Sequence, residues 1–348
     1  MSKFNLQSLA FALVVLLLVF FGKREGADKL KTPTASSIEV TSLALLSGGS
    51  ARAISSAETF AEKPAPPTLT PMPPQPSAPI VNPYKASALE SKPRVLNFLI
   101  PEPIGALNQP PMLEAAAVLV SEIGGYAPYF EENIDKRWPL ASLTKLMTAV
   151  VALENLPAEQ RIIMSERALN APGQAGNFAV GEVFTAVDLI KAAIIISSND
   201  AAMALADFYG YDKFIDLMQI KAADLGMRQT TFFDPAGLSV LNQSTANDLE
   251  KLVSYILTNH DFIFKNSRAT SAAIQEINSG AVRILANNNR FAGAPDFLGG
   301  KTGYTDDAGG NLISLFRRED REFLIVVFGT SDRFGATEKL YDWLKANF

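Results

Sequence analysis

Proline is unevenly distributed along this chain, and the distribution limits which part of it can fold. Fourteen of the 21 prolines lie between Pro64 and Pro111, in runs such as Pro64-Ala65-Pro66-Pro67. Proline has a fixed φ and no backbone N–H, so these runs favour an extended polyproline conformation and bury no core. We therefore predict a Pro-rich disordered tether over residues 23–111 and one folded domain over residues 112–348. A spacer is favoured over a proline-rich protein-binding motif.

The N-terminus contains a second segment that does not belong to the folded domain. Residues 4–22 carry no charge, and residues 9–21 are an unbroken apolar run. As a helix, about 19 residues span roughly 28 Å, close to the hydrocarbon thickness of a bilayer. The segment is either a cleaved signal peptide or an uncleaved anchor. Lys23, Arg24 and Glu25 follow the run in place of a small-residue cleavage site, so we favour a transmembrane anchor over residues 1–22.

The composition excludes several kinds of chemistry. The chain has no cysteine and one histidine, His260, so it has no thiol nucleophile and too few soft ligands for a zinc hydrolase. A Ser-His-Asp triad would have to use His260, which we interpret as a helix-end residue. The net charge of -5 argues against a general nucleic-acid binder. If the chain is an enzyme, its base is a carboxylate or a lysine.

Hydrophobic periodicity predicts an α+β domain. Strands at both ends of the domain with helices between them indicate one antiparallel sheet, assembled from both ends and covered by helices. Thr185 and Asp188 resemble a capping box that opens a helix ending at Ile196. The predicted strands are 115–120, a second near Tyr129, 311–316 and 322–328; the predicted helices are 143–155, 201–209, 212–225, 246–257 and 336–347.

Three short motifs occur in order: Ser142-Leu143-Thr144-Lys145, Ser197-Ser198-Asn199 and Lys301-Thr302-Gly303. A serine at a helix start and a lysine three residues later share one face of the helix. A serine hydroxyl needs a base to become a nucleophile, and a buried lysine is such a base when it is kept neutral. Lys145 fits that role, with Lys301 as a positive neighbour. Backbone N–H groups at the helix start point toward an oxyanion beside Ser142.

These motifs and their surroundings resemble one family, the serine D-Ala-D-Ala carboxypeptidases, which are the low-molecular-mass penicillin-binding proteins. The likeness includes Pro139-Leu-Ala-Ser-Leu-Thr-Lys-Leu-Met-Thr-Ala149, Ser198-Asn-Asp-Ala-Ala202, Asp234-Pro-Ala-Gly-Leu238 and Lys301-Thr-Gly-Tyr-Thr-Asp-Asp-Ala-Gly309. It extends over essentially all of residues 112–348. The resemblance implies the three-layer α/β/α fold of the DD-peptidase and β-lactamase superfamily. It also implies no cofactor and no metal.

The resemblance assigns a role to each motif residue. The nucleophile would be Ser142 and its base Lys145, while Ser197 would relay a proton to the leaving amine. Asn199 would hold the substrate backbone amide, and Lys301 and Thr302 the terminal carboxylate of the peptide. Gly303 would leave room for that peptide, and the N–H of Tyr304 would complete the oxyanion hole with that of Ser142. Arg333 lies where some relatives place a carboxylate-docking base.

The same resemblance implies the substrate and the compartment. We expect a membrane-tethered D,D-carboxypeptidase that removes the terminal D-Ala of peptidoglycan stem peptides and that β-lactams inhibit covalently. The expected location is the bacterial cell membrane, with the catalytic domain outside the cytoplasm. Lys23, Arg24, Lys29 and Lys31 follow the apolar segment, which by the positive-inside rule indicates the opposite orientation. We give the site chemistry more weight than this local charge bias.

Three alternatives remain open on the sequence alone. A D,D-endopeptidase or weak transpeptidase shares the same motifs, because they do not specify the acceptor. A β-lactamase of the same fold needs a deacylating glutamate; Glu166 mimics one but precedes the second motif, so we interpret it as a surface residue. A silent cell-wall-binding module is disfavoured, because every residue needed for acylation is present. Asn287-Asn288-Asn289 is interpreted as a turn.

Overall fold

The two ends of the folded domain pair with each other in one sheet. The structure, a computed structural model, describes residues 108–348. Its main sheet has five antiparallel strands, which lie side by side in the order β2 (Phe130–Glu132), β1 (Ala117–Glu122), β11 (Arg321–Thr330), β10 (Gly309–Arg318) and β9 (Phe297–Thr305). The first strand lies against the last, with Ala117 opposite Phe328 and Glu122 opposite Phe323. The predicted antiparallel sheet assembled from both ends of the domain is therefore confirmed.

Helices occupy most of the chain between these strands. The strands are β1 (Ala117–Glu122), β2 (Phe130–Glu132), β3 (Trp138–Pro139), β4 (Arg161–Ile163), β5 (Val183–Thr185), β6 (Gln243–Ser244), β7 (Ser271–Gln275), β8 (Val282–Ala286), β9 (Phe297–Thr305), β10 (Gly309–Arg318) and β11 (Arg321–Thr330). The helices are α1 (Lys145–Asn155), α2 (Glu166–Leu169), α3 (Ala186–Ile195), α4 (Asn199–Tyr209), α5 (Tyr211–Asp224), α6 (Ala246–Asn259), α7 (Phe262–Ser267) and α8 (Arg333–Asn347).

Alternating side chains on the central strands face two separate cores. On one face, Val120 and Ile325 pack with Leu340 and Leu344 of α8. On the other face, strand residues such as Leu119 and Val326 join the larger core formed with the remaining helices. Because successive strand residues point to opposite faces, a strand covered on both sides is apolar at nearly every position. The result is the expected three-layer α/β/α arrangement.

Side-chain caps fix the starts of several helices. Ser198, Thr245 and Asp332 each accept a hydrogen bond from the backbone N–H three residues later. Thr185 does the same for Asp188, at 3.2 Å, which is one half of the predicted capping box. The Asp188 carboxylate instead accepts from Lys191 and from the backbone N–H of Gln275. It therefore ties α3 to β7.

Some predicted elements differ from those observed. The helix predicted from residue 143 begins at Lys145, and a 3₁₀ turn, Ala141–Thr144, precedes it. Strand β9 and the β7–β8 hairpin were not predicted as strands. The end helix starts at Arg333, three residues earlier than expected, because Asp332 caps it at the Gly335 N–H.

The N-terminal predictions concern residues that the structure does not describe. The apolar segment 1–22 and the tether as far as residue 107 lie outside the described range. From residue 108 to the end, no helix is both long and apolar enough to cross a bilayer. Asn108 contacts the last helix through both backbone groups. Its N–H donates to Asn347 Oδ1 at 2.6 Å, and its carbonyl accepts from Trp343 Nε1 at 2.8 Å.

Candidate active site

Ser142 lies in the 3₁₀ turn Ala141–Thr144. Hydrogen bonds from the sheet and from the helical side of the domain hold the residues just before this turn. From the sheet, Asn311 of β10 donates its side-chain N–H to the Pro139 carbonyl at 2.8 Å, and the Ala308 carbonyl accepts from Trp138 Nε1 at 2.8 Å. From the helical side, the Asn242 carbonyl accepts from the Leu140 N–H at 2.8 Å. The residues just before Ser142 are thus held by hydrogen bonds from both sides.

The Lys145 ammonium group is the centre of the site. It is fully buried and donates to Ser142 Oγ at 2.8 Å, to Asn199 Oδ1 at 2.7 Å and to the Ala236 carbonyl at 2.7 Å. Burial disfavours the charged form and lowers the pKa of Lys145 to about 7, although the carboxylates of Asp234 and Asp200 act in the opposite direction. A substantial neutral fraction near pH 7 gives this lysine the ability to accept a proton from its neighbour. Burial is what lowers the pKa of Lys145; the expected effect of the Lys301 charge is not among the causes.

The Ala236 carbonyl is held in position by the carboxylate of Asp234. Asp234 Oδ1 accepts from the backbone N–H groups of Ala236, Gly237 and Leu238, at 2.8, 2.6 and 3.1 Å. Its Oδ2 accepts from the Ser239 N–H at 2.7 Å. At Gly237, φ is +84° and an added Cβ would lie 1.8 Å from the Ala141 carbonyl oxygen. Only glycine therefore lets this loop pack against the nucleophile turn.

The second motif places Ser197 against Lys301. Ser197 has a φ of +61°, a conformation that costs a non-glycine residue on the order of 1–3 kcal/mol. In this position its Oγ accepts a hydrogen bond from Lys301 Nζ at 2.7 Å. Strain at a residue that contacts a buried lysine indicates a functional constraint.

The next three residues hold one loop, 172–175. Ser198 Oγ donates to the Ala175 carbonyl at 2.7 Å, and Asn199 Nδ2 donates to the Pro172 carbonyl at 2.6 Å. Asp200 Oδ2 accepts from the Ala175 N–H at 3.0 Å, and burial raises the pKa of Asp200. Both ends of the Asn199 amide are thus already bonded within the protein. Its Oδ1 keeps one lone pair for a substrate N–H.

The third motif lies on β9, the edge strand of the sheet. Lys301 is buried, and burial together with the positive charges of Lys145 and Arg333 lowers its pKa well below the usual range. At Gly303 a Cβ would lie 3.0 Å from the Leu140 carbonyl oxygen, so this strand passes close to the nucleophile turn. Tyr304 is 61% exposed and stands at the mouth of the site. An open strand edge beside the nucleophile can pair with an extended peptide.

Two residues beyond the three motifs also contact β9. Asn288 Oδ1 accepts from Thr302 Oγ1 at 3.2 Å, so the Asn287-Asn288-Asn289 segment does more than turn the chain. Arg333 Nη1 donates to the Gly303 carbonyl at 3.3 Å, while its buried Nε has no hydrogen-bond partner among the described residues. Burial and the nearby Arg290 lower the pKa of Arg333. A half-buried guanidinium whose buried Nε is free to donate beside Gly303 is suited to an anion.

The structure therefore brings the three predicted motifs together around one cleft. Sequence reasoning missed Asn242, Asn311 and Asn288. The role of Asp234 was missed as well, although an aspartate followed by proline and glycine is a known signal for side-chain capping of its own loop. The two residues set aside do lie elsewhere: Glu166 is exposed at the start of α2, and His260 caps α6 and contacts Glu154 at 3.0 Å.

This geometry defines a class of enzyme. A serine hydroxyl bonded to a buried lysine of lowered pKa, with a second buried lysine on a strand edge nearby, is typical of serine hydrolases that form an acyl-enzyme.

Comparison with known proteins gives the family. The family model described as D-alanyl-D-alanine carboxypeptidase matches residues 106–332. A D-alanyl-D-alanine endopeptidase of Escherichia coli is 28% identical over 249 residues, which cover 68% of this chain and 79% of the relative. The E. coli D-alanyl-D-alanine carboxypeptidase DacC is 32% identical, covering 67% of this chain and 62% of its own.

A solved structure agrees with these relatives. Penicillin-binding protein D2 of Listeria monocytogenes, in its cefotaxime-bound form, superimposes with a TM-score of 0.60 and 29% identity. The match covers 68% of this chain and 99% of the Listeria chain. This chain belongs to the D-alanyl-D-alanine carboxypeptidase family and is a serine peptidase.

Proposed function

We propose that Ser142, Lys145 and Ser197 carry out the serine D,D-carboxypeptidase reaction of this chain, the removal of the terminal D-Ala from peptidoglycan stem peptides. The observation that carries the proposal is the 2.8 Å hydrogen bond between Ser142 Oγ and the buried Lys145 Nζ. Neutral Lys145 takes the hydroxyl proton as Ser142 Oγ attacks the carbonyl carbon of the penultimate D-Ala. The N–H groups of Ser142 and Tyr304 stabilise the oxyanion.

The second half of the reaction uses the opposite wall of the cleft. Ser197, bonded to Lys301, passes a proton to the leaving nitrogen as the C–N bond breaks, and D-Ala departs. Lys301 and Thr302 bind its carboxylate, assisted by Arg333, while Asn199 accepts from the substrate amide and Gly303 lets the peptide lie along β9. Water then hydrolyses the Ser142 ester. The Ser142–Lys145 and Lys301–Ser197 pairs are already within hydrogen-bond distance. The proton that Lys145 gains replaces the one that Ser197 gives to the leaving nitrogen, so acylation leaves the protein with no net change in protons.

A penicillin tests this assignment and its pH dependence together. Incubated with a penicillin, the full chain should gain the mass of the drug at Ser142. Acylation should rise with pH through about 7, because the pKa of Lys145 is about 7 and only the neutral amine accepts the proton. Below that pH the rate should fall by about tenfold per unit. Intact-mass measurements at a series of pH values, with peptide mapping, provide both results.

The fate of the adduct separates the alternatives. An adduct that persists for hours agrees with a carboxypeptidase that hydrolyses β-lactams slowly. An adduct that disappears quickly would instead indicate a β-lactamase and would redirect attention to Glu166. No adduct at any pH would favour a silent wall-binding module.

A second reaction has support from the relatives, some of which are named D-alanyl-D-alanine endopeptidase. Cleavage of a cross-link uses the same acyl-enzyme, because only the leaving amine differs. Comparison of a cross-linked dimer with a monomeric pentapeptide as substrates measures the preference between the two reactions.

We also propose that residues 1–22 anchor the protein in the membrane, with the catalytic domain on the cell-wall side, where stem peptides occur. The length and apolarity of the segment support this. A β-lactam reporter that cannot cross the membrane should label the protein in intact cells that produce the full chain. Labelling only after lysis would contradict the proposed orientation.

A further inference from the structure

The β7–β8 hairpin presents a free strand edge close to the active site. Among the described residues, β8 pairs with β7 alone. Backbone hydrogen bonds from Glu276 N–H to the Ala281 carbonyl and from Asn287 N–H to the Thr270 carbonyl fix the register at both ends of the hairpin. In an antiparallel pair, bonded and outward-facing residues alternate. Ile284 therefore directs its backbone N–H and carbonyl outward.

This edge forms one wall of a groove with a volume of about 340 Å³. Gly176, Asn177 and Ile196 form the opposite side, and residues 283–286 of β8 form the near side. The Ile284 side chain is 68% exposed beside the groove. A free strand edge with exposed apolar side chains is the kind of surface to which an extended peptide adds as a further strand. We call this site the edge groove.

The edge groove is continuous with the side of the active site that handles the leaving group. Ile196, in its far wall, directly precedes Ser197. Beyond β8 the chain reaches Asn288, which donates its N–H to the Ile195 carbonyl at 3.2 Å and accepts from Thr302 Oγ1 at 3.2 Å. Ser197 and Thr302 are the residues assigned to the leaving nitrogen and its carboxylate. A peptide attached to the leaving residue therefore meets the edge groove next.

We propose that the edge groove binds the amine-side peptide of a cross-linked stem, extended along β8, during the cross-link cleavage considered above. The inference rests on the proposed function and extends it to a larger leaving group. Ser142 Oγ bonds to the D-Ala carbonyl carbon, and the C–N bond to the neighbouring stem breaks. Its nitrogen leaves with a proton from Ser197, and water later hydrolyses the ester. When the leaving group is D-Ala alone, it reaches only as far as Lys301 and Thr302, and the edge groove stays empty.

Substitutions in the edge groove should therefore affect one substrate and not the other. Ile284→Pro removes an outward-facing N–H, so no hydrogen bond to β7 is lost. Proline is tolerated at such edge positions of a strand. It should lower kcat/KM for a cross-linked dimer about tenfold or more and change kcat/KM for a monomeric pentapeptide by less than about twofold. Ile284→Ala is the matched control, because it keeps the N–H and should retain most of the cross-link cleavage.

A second variant helps to separate loss of peptide binding in the edge groove from misfolding. Ala286→Phe fills the edge groove from an exposed position and should give the same selective loss. The rate of penicillin acylation, measured for each variant, reports whether the catalytic site is intact.

Several outcomes would overturn the inference. Equal loss for both substrates would mean that the groove binds the acyl-side stem, and no loss for either would mean that it binds neither. If the unaltered chain does not cleave the dimer, the inference about the edge groove is wrong. The proposed function still holds in that case, provided that the chain hydrolyses the pentapeptide. Failure of the proposed function itself would appear separately, as D-Ala release that does not depend on Ser142.

Discussion

Replacement of Ser142 by alanine should abolish D-Ala release while the domain remains folded. Ser142 Oγ contacts Lys145 at 2.8 Å and lies in a turn held by main-chain and asparagine contacts, so removing the hydroxyl removes little packing. Loss of a nucleophile typically lowers kcat by about 10⁴-fold or more, because the acyl-enzyme route closes. The measurement is D-Ala released from a pentapeptide, together with thermal unfolding of the full chain.

Two controls sharpen this result. The Ser142→Ala chain should gain no mass from penicillin. Glu166→Gln, at an exposed position away from the three motifs, should leave D-Ala release unchanged and the penicillin adduct as persistent as before. Undiminished release by the Ser142→Ala chain would refute the assignment of the nucleophile.

The second large effect is expected at Asp234, which no substrate needs to touch. Asp234→Ala removes the acceptor of four backbone N–H groups. Each hydrogen bond contributes about 1 kcal/mol, and buried donors without partners cost more. We expect the free energy of unfolding, measured in urea, to fall by roughly 3 kcal/mol or more. Acylation should also slow by about tenfold or more, because the Ala236 carbonyl no longer holds Lys145.

The pH profile separates this positioning role from general instability. The Asp234 carboxylate raises the pKa of Lys145, so its removal should move the inflection of the acylation rate to lower pH. Asp234→Asn keeps an oxygen for three of the four N–H groups and loses the charge. Asp234→Asn should therefore move the inflection of the acylation rate to lower pH in the same way, with a smaller loss of stability. A stable Asp234→Ala chain with an unchanged inflection would contradict this account of the loop.

The site residues that could be predicted from sequence are those that act through local spacing. Ser142 and Lys145 are one turn apart, and the remaining motif residues follow as two further short patterns. Asn242 and Asn311 could not be found in this way. They bond to Thr144 and to the Leu140 carbonyl, partners 98 and 171 residues away along the chain, so only the folded structure reveals their role.

The missed strands have a similar explanation. Strand β9 contains three glycines, Gly299, Gly300 and Gly303, around Lys301, and glycine and lysine have low strand propensity. It is a strand because β10 pairs with it along most of its length. The β7–β8 hairpin could have been predicted more easily. Asn278-Ser279-Gly280 is typical of a turn, and it lies between two short runs that include apolar residues. Tertiary pairing, more than local preference, determines both.

The pairing of the first strand with the last has a consequence for how the domain is made. Ala117 finds its partner Phe328 only after roughly 200 further residues have been synthesised. At about 5–20 residues per second, that wait is on the order of 10–40 s. Such non-local contacts also slow folding, because loop closure must precede any gain from pairing. The Pro139 and Leu140 carbonyls, just before Ser142, accept hydrogen bonds from Asn311 of β10, so a nascent chain lacks this support for the candidate site until its final strands are made. Incomplete chains should therefore expose the apolar β1 edge and depend on protection from aggregation.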